Sequence, residues 1–77
     1  MKQGDVIEAM WDDHTFCFNT YGGQGITKMK TCGYFVKEDE SALYIALTLQ
    51  EGREPADVQV IDKRMLGKTR VIRREPT

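Results

Sequence analysis

The sequence predicts an all-β fold, a small, strongly bent antiparallel barrel of five strands. Three observations carry that prediction. Apolar residues recur at every second position in short runs bounded by Gly, Pro and acidic turns. Gly33 interrupts one run, as a strand bent hard enough to serve both halves of a small barrel requires. No run continues long enough with a helical period to be read as a helix.

The first strand is read from GDVIEAMWDD, residues 4–13, starting near Asp5 and ending at the two acids. Ile7, Ala9 and Trp11 share one face, with Val6, Glu8, Met10 and Asp12 on the other. Residues 14–31 form the longest irregular segment, with Gly22, Gly23 and Gly25 close together. Glycine tolerates positive φ, so this stretch is a long loop or a ragged hairpin, and long loops often carry function. The second strand is KTCGYFVKE, residues 30–38, followed by a turn at Glu38, Asp39, Glu40 and Ser41.

The third strand, ALYIALTLQ, sets Leu43, Ile45, Leu47 and Leu49 on one face. Ala42, Tyr44, Ala46 and Thr48 lie on the other, free to meet solvent or a partner. Leu and Ala also suit a helix; the acidic turn before this segment and EGREPAD after it favour the strand. The fourth strand is VQVID, residues 58–62, KRMLG turns the chain, and KTRVIRR, residues 68–74, is the fifth, with residues 75–77 as a tail. The expected core is Ile7, Trp11, Phe35, Leu43, Ile45, Leu47, Val60, Leu66 and Val71.

A chain of 77 residues is a single domain. At this size about 60% of the unfolded surface is buried, so stability is marginal and self-association is the expected reinforcement. Cys17 and Cys32 are too few for a disulfide framework. The opening MKQGDVIEAM lacks a signal-peptide pattern, and no apolar run approaches the ~20 residues of a membrane span. A cytoplasmic protein with reduced thiols is the expectation. Net charge is −1, but residues 63–77 hold six basic residues against Glu75 alone. Such a split suits an anionic partner or an acidic neighbouring subunit, and it equally suits a solubilising edge.

From Gly33 to Ile45 the succession G-x-F-V-K-E-D-E-S-x-x-Y-I resembles the first conserved segment of Sm-like proteins. The closing R-M-L-G-K-T-R-V-I, residues 64–72, is similar to their second segment. Closer still, Val6 to Trp11 and Asp13, then Thr31-Cys32-Gly33-Tyr34-Phe35-Val36, then Ile61, Lys63 and Met65 resemble small bacteriophage proteins, cyanophage-like ones included, of Sm-like/SH3-like fold. The resemblance spans most of residues 6–72 and implies a five-stranded barrel assembling into a ring through the edges of strands four and five. It also departs from the family. Ser41, Leu43 and Tyr44 stand where uridine-holding Sm proteins carry an Asn, Leu66 rather than Arg precedes Gly67, and the N-terminal helix is missing. A uridine pocket is therefore not implied.

Several residues invite chemistry. His14, Cys17 and Cys32, with Asp12 or Asp13, offer zinc-type donors, but no second pair stands at ligand spacing, and a surface His with two buried thiols accounts for them. A Cys17–His14 nucleophile pair lacks an orienting third group. GGQG, residues 22–25, with Lys28 and Lys30 nearby, lacks the strand-to-helix context of a phosphate loop. No enzyme activity, metal or cofactor is expected. Tyr21, Tyr34 and Tyr44 are suited to stack on bases while Lys68, Arg70 and Arg74, alternating on strand five, track phosphates. The same tyrosines suit a subunit interface. The expected function is a homo-oligomeric barrel binding RNA, single-stranded DNA or a nucleotide at Tyr34, Tyr44, Lys68, Arg70 and Arg74. The alternative is a protein-interaction or structural assembly module without a nucleic-acid ligand.

Overall fold

The computed structural model describes residues 1–13 and 27–76. These residues form five strands, β1 (Val6–Asp13), β2 (Thr27–Glu38), β3 (Ala42–Thr48), β4 (Ala56–Asp62) and β5 (Leu66–Arg73). All pairings are antiparallel and join them into one sheet of order β4-β3-β2-β1-β5. Among the described residues no helix is long and apolar enough to cross a membrane.

The sheet curls, and a short connection forces it to. Its two edge strands, β4 and β5, are joined by residues 63–65 alone. Five flat strands would hold their edges about 19 Å apart at ~4.8 Å per step. The connection is a tight turn, with the Met65 amide donating to the Asp62 carbonyl at 2.9 Å. A turn of this kind holds its ends within about 7 Å, so the edges must converge there. Two further bonds fasten it: Lys63 N–H to the Ser41 carbonyl at 2.9 Å and Asp12 N–H to the Met65 carbonyl at 2.9 Å. The turn thus touches the β2–β3 connection on one side and β1 on the other.

β2 supplies the bend. Its first part pairs with β1, from Thr27↔Asp13 to Tyr34↔Val6. Its last part pairs with β3, from Tyr34↔Ala46 to Glu38↔Leu43, with a register shift between Phe35 and Lys37. At Gly33 a β-carbon would lie 2.6 Å from both the Ala46 carbonyl oxygen and Ile45 Cγ2. Only glycine lets β3 come this close. The concave side holds Ile7, Ala9, Trp11, Phe35, Leu43, Ile45 and Ile61, with Met29, Met65, Leu66 and Val71 packed against them. Trp11 Nε1 donates to Thr31 Oγ1 at 2.9 Å, and that hydroxyl donates to Gln59 Oε1 at 3.4 Å. This relay runs from β1 through β2 to edge strand β4.

The structure corrects several sequence expectations. Val60 is 55% exposed rather than in the core. The register sets Val60 beside Tyr44 and Ile61 beside Leu43, so Ile61 turns inward and Val60 outward. Leu47 is 57% exposed. It shares the inward parity of Leu43 and Ile45, but β2–β3 pairing ends at Ala46 and no strand covers it from β2. Ala42 and Ala46, expected on the outer face, are buried. Part of the stretch assigned to a loop, residues 27–31, is strand β2, because it completes the ladder with β1.

Candidate functional site

On the convex face the cross-strand register lines up the side chains in transverse rows. One row runs Val58–Ala46–Tyr34–Val6–Arg73 across all five strands. The next runs Val60–Tyr44–Lys37 across three. On the other flank stand Cys32–Glu8–Arg70, then Met10 with Lys30 and Asp12 with Lys28. The face therefore divides into an aromatic and aliphatic half toward β4 and a charged half toward β5.

The residues expected to bind nucleic acid do not converge. Tyr34 lies half-buried mid-sheet, with Val6 of β1 between it and Arg73. Tyr44 sits beside the acidic turn, donating its hydroxyl to Asp39 Oδ2 at 3.2 Å with Lys37 Nζ 4.6 Å from its ring centre. The Asp39 charge raises the Tyr44 pKa, assisted by burial. Asp39 itself is lowered, chiefly by the amides of Ser41 and Ala42 at 2.8 and 2.9 Å. Arg70 pairs with Glu8 at 3.2 Å, and Lys30 approaches the same carboxylate at 4.0 Å. Such exposed pairs contribute only about 0–1 kcal/mol, yet Glu8 places a negative charge in the middle of the stripe. Lys68 is exposed with no ion-pair partner among the described residues.

Arg74 has left the stripe. Its guanidinium points to the carboxylate of Asp5 at 4.0 Å. Asp5 is 0% exposed and ties both ends of the described chain, accepting the Lys2 amide at 3.0 Å and the Glu75 amide at 2.7 Å. Those amides hold its carboxyl below the ordinary carboxylate value against the opposing effect of burial. At the β4–β5 turn, Asp62 takes the Arg64 guanidinium at 2.7 Å and the Arg64 amide at 2.8 Å, which bring its pKa down to about 2.

What the sequence reading missed is the apolar outer face of β4, whose edge only the resemblance had named. Among the described residues β4 hydrogen-bonds to β3 and to no second strand, while Val58 and Val60 are 42% and 55% exposed. Asp57 adopts φ 55°, in the left-handed region that Asp and Asn enter more readily than other non-glycine residues, so the extended backbone of β4 is interrupted there and runs on regularly from Val58. The signal was present in the V-x-V of residues 58–60, but taking Val60 as core turned the strand inside out.

A cleft of about 280 Å³ opens where β1 meets the β4–β5 turn, floored by Trp11, Met29, Met65 and Leu66 and rimmed by Lys28 and Arg64. Both rim cations have carboxylate partners, Asp12 at 3.7 Å and Asp62 at 2.7 Å. Among the described residues no three His, Cys, Asp or Glu side chains stand close enough to hold a metal. Cys32 is an exposed free thiol on β2. His14, Cys17, Tyr21 and the glycines at 22, 23 and 25 lie outside the described residues. No family model, curated protein or solved structure matches the chain.

Proposed function

We propose that this chain is a non-enzymatic assembly module, a small barrel of Sm-like/SH3-like type that joins protein subunits through its open sheet edges. One observation carries the reading. Among the described residues β4 offers an unpaired edge whose outward side chains, Val58 and Val60, are apolar and exposed. An extended edge with apolar side chains is a template for another strand, supplying main-chain hydrogen bonds and side-chain burial together. The marginal stability of so short a chain gives the same surface a thermodynamic reason to be covered. A homo-oligomer, whether the ring through β4 and β5 that the resemblance implies or another arrangement, follows from this reading. A bacteriophage accessory role in the host cytoplasm is proposed on the sequence resemblance alone. Size-exclusion chromatography with light scattering tests it: a multiple of 8.8 kDa is expected at micromolar concentration, and a monomer throughout overturns it.

A second reading has its own support. Tyr34 and Arg73 share a transverse row, and Lys68 projects from β5 without a carboxylate partner among the described residues. An aromatic surface edged by cations holds single-stranded RNA or DNA, or a nucleotide, by stacking and phosphate contact. Binding of labelled oligonucleotides at two salt concentrations tests it. Affinity that weakens with salt supports it, and no binding at low salt removes it.

A further inference from the structure

The two sheet edges left open among the described residues are not equivalent, and their difference selects a partner. β5 bears Lys68, Arg70 and Arg73, and its pairing with β1 slips register between Val6 and Ile7 and again between Ala9 and Trp11. Cations and irregular register are what natural sheets use to keep further strands away. β4 carries neither between Val58 and Asp62. Its register with β3 is unbroken and its only charges there and at the flanking position are Asp62 and Asp57. The backbone turn at Asp57, with Pro55 before it, limits the usable edge to residues 58–62.

Resting on the assembly reading, we infer that the β4 edge pairs with the β4 edge of a second copy, antiparallel, across a two-fold axis at Gln59. Side chains directly opposite in an antiparallel pair lie on the same face, about 4.5–5.5 Å apart at Cβ. With Gln59 on the axis, Val58 of each copy meets Val60 of the other, and all four exposed valines are covered. The ladder then spans residues 58–60 of each copy, and beyond it Ile61 and Asp62 fall toward Asp57 and Ala56, where the backbone turn ends the regular edge, so no acid faces an acid. A shift of one residue would set inward against outward side chains. Moving the axis to Val60 leaves Val58 against Asp62, and moving it to Val58 leaves Val60 against Ala56. The Gln59 register alone matches valine with valine throughout, and a self-complementary patch closes as a dimer rather than growing as a ring or filament.

Disulfide trapping tests the arrangement in full-length chains with Cys17 and Cys32 replaced by serine, and circular dichroism confirms that each variant keeps its strand signal. Val58→Cys and Val60→Cys are oxidised separately and as an equimolar mixture. The mixture is expected to give linked dimer at several times the yield of either alone, because like positions lie diagonally and too far apart for an unstrained disulfide. Light scattering should report the same dimer after Lys68→Glu and Arg73→Glu on β5. A larger assembly that collapses on those β5 changes overturns the two-fold pairing in favour of β4–β5 contacts and leaves the assembly reading standing. A monomer at every concentration, with no trapping in the mixture, overturns both.

Discussion

A β-carbon at position 33 would meet the Ala46 carbonyl oxygen and the fully buried Ile45 Cγ2, both 2.6 Å off, and neither can swing away. Gly33→Ala is therefore expected to cost about 2–3 kcal/mol through forced backbone shifts, read as a lower urea midpoint. A cost under ~0.5 kcal/mol would mean that β3 does not lie so close. Asp5 carries a different expectation. Its pKa, with those of Asp39 and Asp62, is lowered in the folded state. Groups shifted this way stabilise the fold above their unfolded value near 3.9, and that contribution is lost as pH falls through the folded value. For Asp62 the folded value is about 2. The melting temperature should hold steady down to about pH 4 and fall between pH 4 and 2, and Asp5→Asn should lower it at neutral pH while making the acid drop shallower. An unchanged acid slope in that variant would show that Asp5 does not latch the ends. Gly33 was legible in the sequence because a glycine inside an alternating run weakens the strand unless a bend or a close backbone approach needs it. Asp5 was not, because Glu75, distant in sequence, reaches it only once β5 has paired with β1.

At the scale of a strand, β4 separates two valines from one isoleucine. Ile61 is buried against the core and Val60 is exposed one position away. Ile61→Ala should cost about 2–5 kcal/mol by cavity formation, whereas Val60→Thr should leave subunit stability within ~0.5 kcal/mol. Urea titration of the dilute protein distinguishes the two, and a reversed order would mean that β4 faces the other way. All five strands were legible from alternation and turn chemistry. Their boundaries moved most where a neighbour completes a ladder, as at the start of β2, which β1 extends back to Thr27. Faces were legible where both parities differ in character, as with Ile7, Ala9 and Trp11 against Glu8 and Asp12. They were not legible in VQVID, where Val and Ile occupy both parities and the register with β3 decides. Leu47 shows the complementary limit. Period two fixes which way a side chain points, not whether anything stands opposite.

For the whole molecule, the three-residue link between opposite edges does most to set the shape, since it draws β4 and β5 together while, among the described residues, no further strand pairs with either. Strand pairing and the acidic turn disperse the anticipated binding set. Arg70 turns to Glu8, Arg74 to Asp5 and Tyr44 to Asp39, carboxylates distant in sequence for the first two and local for the third. A basic tally along the chain could not foresee those partners, whereas the exposed valine edge was written in it and read with the wrong face. Assembly through the β4 edge is tested most directly by the light-scattering mass of the wild type and of Val60→Lys across a dilution series from hundreds of micromolar to sub-micromolar. A dissociating oligomer is expected for the wild type and, for a folded Val60→Lys chain, a midpoint shifted at least tenfold toward monomer. A wild type that stays monomeric across the series, or an oligomer indifferent to a cation at position 60, would contradict assembly through this edge.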